Sequence, residues 1–181
     1  MTSLSSSKTL DLAYIALSAA LMAICSWLVI PVTIPFTLQT FALFLTLGLL
    51  GGRRGTIAVI VYLLLGLIGL PVFSGFTGGI GRFAGPTGGY LFGFLLGALV
   101  YWLLTHFLGK HGVLPGLLAV MVVYFIFGTW WFVVGYTSGG DSIGTIFGMY
   151  VLPYVLPDLV KLALALLIVR RVSPYIKGGN L

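Results

Sequence analysis

Long apolar runs alternate along this chain with short clusters of polar, glycine and proline residues. A helix that spans a membrane needs about 20 predominantly apolar residues, somewhat fewer where neighbouring helices shield it. By that measure six spans are predicted, roughly over 11–30, 36–50, 56–70, 87–108, 113–134 and 152–171. Pro31 and Pro35 in "PVTIP" bracket the first reversal, and Pro157 interrupts the sixth span. The second and third spans are short. Residues 135–151 carry too many polar and glycine positions to span and are expected to fold over one membrane face, with room for a short helix. The pattern predicts an all-α integral membrane protein, a six-helix bundle forming one domain over 1–181.

Composition fits that picture. Of the 181 residues 60% are hydrophobic and 7% charged, with a mean hydropathy of +1.18; no soluble domain of this size covers itself with so few polar side chains. The net charge of +6 does not form a nucleic-acid surface, because the cations sit singly or in pairs at span ends. Lys8, Arg53, Arg54, Lys110, Arg170, Arg171 and Lys177, seven of nine, fall on the side that holds both termini. The positive-inside rule makes that side cytoplasmic. Cys25 is the single cysteine and forms no intramolecular disulfide. "LMAIC" has the bulky Ile24 where a lipoprotein cleavage site needs a small residue, so the first apolar run is expected to be a retained helix.

The exceptions to the charge pattern carry the chemistry. Arg82 lies in "VFSGFTGGIGRFAGPTGGYLFGF", and nine glycines fall between Gly75 and Gly97. Asp158 and Lys161, in "PYVLPDLVKLAL", are three residues apart and share a helix face. Asp141 and Asp158 are both expected on or near the outer side. Ionisable residues at membrane depth usually face the protein interior or a cavity, and irregular backbone is tolerated there only where protein buries it or it lines a cavity. Two readings stand: an ion pair capping the start of the sixth helix, or a polar pocket between the glycine-rich loop and that helix near the outer face.

Other motifs narrow the function. "GGRRGTIA" lacks the Gly-Lys-Ser/Thr ending of a nucleotide-binding loop. His106 and His111 have no Cys, Asp or Glu nearby in sequence and read as interfacial histidines, not metal ligands. Ser74, Ser138 and Ser142 have no histidine predicted on their side to activate them, so an enzyme is not expected. Gly89, Gly93 and Gly97, at spacing four, form a stripe for close helix packing. Ala13, Ala16, Ala20 and Ala23 form a second stripe, which either packs inside the bundle or docks another membrane protein.

Four separated blocks then point to a family. "PFTLQT", "GLPVFSG", "GPTGGY" and "PDLVK" occur in that order, and the chain resembles the BioY family, the biotin-specific S components of energy-coupling factor (ECF) transporters, from the first helix to about Val172. The resemblance implies a six-helix bundle that binds biotin at its extracytoplasmic face, in a prokaryotic plasma membrane. It implies a transmembrane coupling subunit and two cytosolic ATPases as partners, with ATP used by those partners alone and no cofactor of its own. It favours docking for the alanine stripe.

Biotin presents a ureido ring with two N–H donors and a carbonyl, an apolar thioether ring and a carboxylate. A matching pocket needs acceptors, a donor, apolar walls, and a cation or backbone donors. Asp158 is expected to accept a ureido N–H; Lys161 either neutralises Asp158 or donates to the ligand. Gln39 can do both. Tyr90 and the Gly85–Gly89 backbone come from the matching blocks, whereas Arg82 and Thr77 lie between them; Arg82 suits the carboxylate. Trp27, Phe73 and Phe92 are candidate apolar walls. An S component for another vitamin, or a self-contained carrier, is the alternative, although neither inverted repeats nor coupling-ion sites are visible in the sequence.

Overall fold

The computed structural model describes residues 3–30, 36–137 and 143–176; Pro31, Pro35, Ser138, Asp141, Ser142 and Lys177 lie outside the described residues. Helix α1 (Ser3–Trp27) begins before Asp11 and stops short of Ile30. The chain leaves the helix because Val29–Ile30 (β1) pairs antiparallel with Phe36–Thr37 (β2). The spans expected at 36–50 and 56–70 are joined as α2 (Gln39–Leu67), broken at Gly51 with φ 77° and ψ −178°. Glycine enters that region without a Cβ penalty. Beyond the break the chain folds back on itself: a Cβ on Gly55 would lie 3.1 Å from Leu47 Cα, and Gln39 hydrogen-bonds Tyr62. Thr56 Oγ1 lies 2.7 Å from the Gly52 carbonyl oxygen and 3.1 Å from that of Ala98, tying the reversal to the fourth helix.

The glycine-rich loop contains one short helix, α3 (Ile80–Ala84). Helices α4 (Gly88–Leu108) and α5 (Val113–Tyr136) follow, separated only by a 3-10 turn at Gly109–Gly112. They form an antiparallel pair, and the Gly89, Gly93 and Gly97 stripe is its seam. A Cβ on Gly93 would lie 2.7 Å from Tyr124 Cα, and one on Gly97 3.2 Å from Val120 Cα. Small residues let the two backbones approach, as close helix contacts in a membrane require. Helices α6 (Ile143–Tyr150) and α7 (Leu152–Val172) follow, and a 3-10 turn at Ser173–Tyr175 is the last element among the described residues.

Among the described residues, four segments are long and apolar enough to cross a membrane: Lys8–Trp27, Gln39–Leu67, Gly88–Tyr136 and Leu152–Tyr175. Leu43, Phe44, Val59, Leu117 and Val120 are buried inside, while Leu17, Phe107, Ile126 and Leu156 are exposed, as in an all-α membrane protein whose outer solvent is lipid. The two ends of the bundle differ. One holds the Asp11–Arg54 pair at 3.4 Å and Gly52 against Trp102. The other gathers the start of α2, residues 71–88 and the start of α7, and there most of the buried hydrogen-bonding groups meet.

Gly93→Val should therefore destabilise the protein by about 1–3 kcal/mol through overpacking of the α4–α5 seam, whereas Gly135→Ala, with open space around its Cβ position, should be near neutral. Thermal unfolding in detergent checks this; equal midpoints for both variants would contradict the close approach.

Candidate functional site

The polar end of the bundle holds an open-mouthed cavity of about 80 Å³. Its walls come from β2 and the start of α2 (Phe36, Thr37, Gln39, Thr40), the loop (Phe73, Ser74, Arg82, Thr87), α4 (Tyr90, Leu91, Phe94), α5 (Tyr124, Phe125) and α7 (Tyr154, Asp158, Lys161). The α4 contribution follows from helical geometry, since positions 87, 90, 91 and 94 share a face.

Asp158 and Lys161 are only 4% and 6% exposed, and their neighbours match them almost completely. Lys161 Nζ donates to Asp158 Oδ1 at 2.7 Å, to the Thr37 carbonyl at 2.7 Å and to Thr40 Oγ1 at 3.1 Å. The Phe36 ring lies 3.9 Å from Nζ, a cation–π contact. An ammonium has three protons, so all are engaged, and Lys161 acts here as the neutralising partner of Asp158 and the anchor of residues 36–40. Thr40 Oγ1 donates to Asp158 Oδ1 at 2.9 Å and the Tyr124 hydroxyl to Oδ2 at 2.5 Å. The pair exists and lines a cavity, but it does not cap a helix start as the first reading had it, because α7 begins at Leu152 and Pro157 lies inside it.

Arg82 is different. Its Nη2 donates to Ser74 twice, to the carbonyl oxygen at 2.8 Å and to Oγ at 2.6 Å, and no carboxylate pairs with it among the described residues. Aromatic side chains of α5 hold the segment that carries it: Trp131 Nε1 donates to the Gly85 carbonyl at 3.1 Å, and the Tyr136 hydroxyl donates to that of Ala84.

Asp158, Lys161, Gln39, Tyr90 and Arg82 are brought together on this cavity. Gly85 and Thr77 are not in its wall. The Gly85 carbonyl accepts Trp131, and Thr77 bridges Phe73 while its Oγ1 donates to the Ser74 carbonyl. The loop glycines stand behind the wall. Gly79 takes φ 89°, and a Cβ on Gly88 would fall 1.8 Å from the Phe83 carbonyl oxygen, so they serve turning and chain-on-chain packing instead of presenting amides to the cavity. Two expected wall residues also lie elsewhere. Trp27 stacks on Phe76 and donates to the Pro71 carbonyl. Phe92 packs between Phe83 and Trp131, because it lies about 200° around α4 from Tyr90. The sequence reading missed Thr40, Ser74, Thr87, Tyr124 and Tyr154. Thr40 belonged to a recognisable block; Tyr124 had no local signal inside an unbroken apolar helix.

Comparison with known proteins adds to this geometry. Residues 1–178 match the sequence model of the BioY family. The biotin transporter BioY of Thermotoga maritima is 40% identical over 161 residues, 85% of this chain and 90% of that protein. The probable biotin transporter BioY of Pyrococcus horikoshii is 34% identical over 169 residues, 92% and 98% of the two chains. A 2.1 Å crystal structure of the S-component for biotin from an ECF-type ABC transporter superposes with a TM-score of 0.84 at 30% identity, covering 99% of this chain and 97% of that one.

Removing one member of a buried ion pair strands the other, at a cost of about 3–5 kcal/mol. Asp158→Ala should therefore unfold at markedly lower denaturant, and Asp158→Ala combined with Lys161→Met should recover much of the loss. Equal stability of the single variant and wild type would mean that the pair is hydrated and not buried.

Proposed function

The chain belongs to the BioY family, and we infer that its cavity binds biotin, with the protein serving as the S component of an ECF-type transporter. The supporting observation is one cavity that joins a neutralised carboxylate, aromatic and aliphatic walls, and a guanidinium without a carboxylate partner among the described residues. These are the requirements of a ureido ring, a thioether ring with its chain, and a terminal carboxylate. The two oxygens of Asp158 hold roughly four acceptor sites. Thr40, Lys161 and Tyr124 fill three, which leaves one on Oδ2 for a ureido N–H. Arg82 offers a planar fork to the ligand carboxylate. Phe36, Phe73, Leu91, Phe94 and Phe125 cover the apolar part. Lys161 positions Asp158, while Gly85 and Thr77 act through the loop that carries Arg82 and Ser74.

The break at Gly51 and the turn at Gly109–Gly112 each divide a long apolar segment into two antiparallel helices. This supports six spans, and the basic residues at one end support cytoplasmic termini. The cavity then opens outward. Ala13, Ala16 and Ala20 are exposed and Ala23 is buried; Ala16, Ala20 and Ala23 line an apolar groove with Val61, Leu65 and Val72. In this reading the groove face meets the transmembrane coupling subunit, and two cytosolic ATPases supply the energy. The site itself needs no cofactor.

Calorimetry on detergent-purified protein should give tight, ATP-independent binding of biotin and none of riboflavin or thiamine; equal heats for all three would sink the assignment. Arg82→Ala should weaken biotin by tenfold or more, in line with loss of a charge-assisted hydrogen bond of about 1.5–3 kcal/mol. It should leave biotinamide, which has no carboxylate, almost unaffected. If both ligands weaken alike, the guanidinium does not read the carboxylate.

Ala16→Trp and Ala20→Trp should spare biotin binding and block assembly with the coupling subunit and ATPases, since an indole holds helix backbones apart. Loss of binding together with assembly would return the stripe to internal packing, and survival of both would leave it facing lipid.

A further inference from the structure

Gln39 is the cavity residue whose chemistry is two-sided, with an acceptor and a donor end on one amide. It is 7% exposed, and its Nε2 lies 2.8 Å from the Tyr62 hydroxyl oxygen. Tyr62 is fully buried. Its hydroxyl stands 3.1 Å from the Val72 carbonyl oxygen, which only accepts, and a phenol has one proton to give. Ser26 Oγ, also fully buried, lies 2.7 Å from the Ala23 carbonyl oxygen and 2.5 Å from that of Val72, and its one proton is best placed in the shorter contact. With Nε2 facing Tyr62, the Tyr62 proton goes to Val72 and the phenol oxygen accepts from Gln39. Turned the other way, the Gln39 amide would draw the Tyr62 proton to its own carbonyl oxygen and leave the phenol and Val72 oxygens 3.1 Å apart with no proton between them, a less favourable arrangement in a buried site. The orientation with Nε2 facing Tyr62 is the one that puts a proton in both Tyr62 contacts. Oε1 meets no donor among the described residues and is the end left to the cavity.

We propose that Tyr62 is a positioning residue that holds Gln39 as an acceptor, so that this wall of the cavity selects a ligand presenting an N–H group there. The inference rests on the biotin reading of the same cavity and deepens it. Biotin has two ureido N–H groups, and Asp158 offers one vacant acceptor site; Gln39 Oε1 is the second acceptor. The line Ser26, Val72, Tyr62, Gln39 carries that specificity from α1 through the loop and the second half of α2 to the site. Removing the Tyr62 hydroxyl frees the amide to turn over, and the wall then meets a donor or an acceptor equally well.

The probes are biotin and the two isosteric cyclic carbamates in which one or the other ureido N–H is replaced by ring oxygen. Affinities are measured by competition with labelled biotin on purified wild type, Tyr62→Phe and Gln39→Ala. Wild type should favour biotin over the carbamate altered at the Gln39 side by about 100-fold, because a lost donor also leaves a buried acceptor facing another acceptor. In Tyr62→Phe that preference should fall at least tenfold, with a smaller loss for biotin itself. A merely structural defect would weaken urea and carbamate together and leave their ratio in place, so an unmoved ratio overturns the proposal. Gln39→Ala should collapse the same preference, and its persistence there would overturn the proposal even if Tyr62→Phe did not fold. A folded wild type that binds no biotin removes the ligand reading and this inference with it. Binding of biotin with a ratio insensitive to Tyr62→Phe overturns this inference alone.

Discussion

Lys161 is the joint on which the outer end of the bundle depends. Its three protons bind a carboxylate on its own helix, a carbonyl on β2 and a hydroxyl on α2, while the carboxylate also takes the α5 hydroxyl of Tyr124. Four separate elements thus meet at two buried charges. In a low-dielectric interior such a pair is tolerable only when nearly every remaining donor and acceptor is matched, and here the matching groups are themselves cavity wall. The interaction that makes the charges affordable also shapes the space beside them.

That joint requires its elements to arrive at the right separation, and glycine provides this at a distance from the charges. The absence of a side chain at Gly93 lets the α5 backbone approach α4 beside Tyr124, whose ring packs on Phe94 and whose hydroxyl reaches Asp158. The break at Gly51 sends the second half of α2 back along the first, so that Tyr62 stands beside Gln39. Packing in the middle of the bundle and hydrogen bonding at its end are consequently one problem. A seam opened by a methyl group would move a cavity-lining hydroxyl.

The same compactness brings the two faces of the protein close together. Residues 72–74 have Val72 on the apolar groove beside α1 and Phe73 and Ser74 on the cavity. The end of α1 grips this segment through Ser26 and Trp27, which donate to the Val72 and Pro71 carbonyls. A helix that presents small residues outward and anchors the cavity-lining loop with its last turn serves both surfaces.

The sequence by itself determined the solvent, the helices and the chemistry of the exceptions. With so few charges the outside had to meet lipid, and each long apolar run had to close its own backbone hydrogen bonds as a helix. Asp158, Lys161 and Arg82 stood out because charge at membrane depth demands a partner or a cavity. Local pattern also marked Gly89, Gly93 and Gly97 as a seam. It did not decide which aromatic residues face inward: Phe92 and Phe94 look alike in sequence, and only the rotation of α4 against α5 puts Phe94 in the wall and Phe92 outside it. Nor did it find Tyr124 or Tyr62, whose hydroxyls are silent within apolar helices until another helix brings a partner within reach. Gly85 and Thr77, conspicuous in the loop, turned out to hold the wall from behind. Hydrogen bonds between residues 34 or 46 positions apart in sequence leave no periodic trace along the chain, and only the tertiary structure decides them.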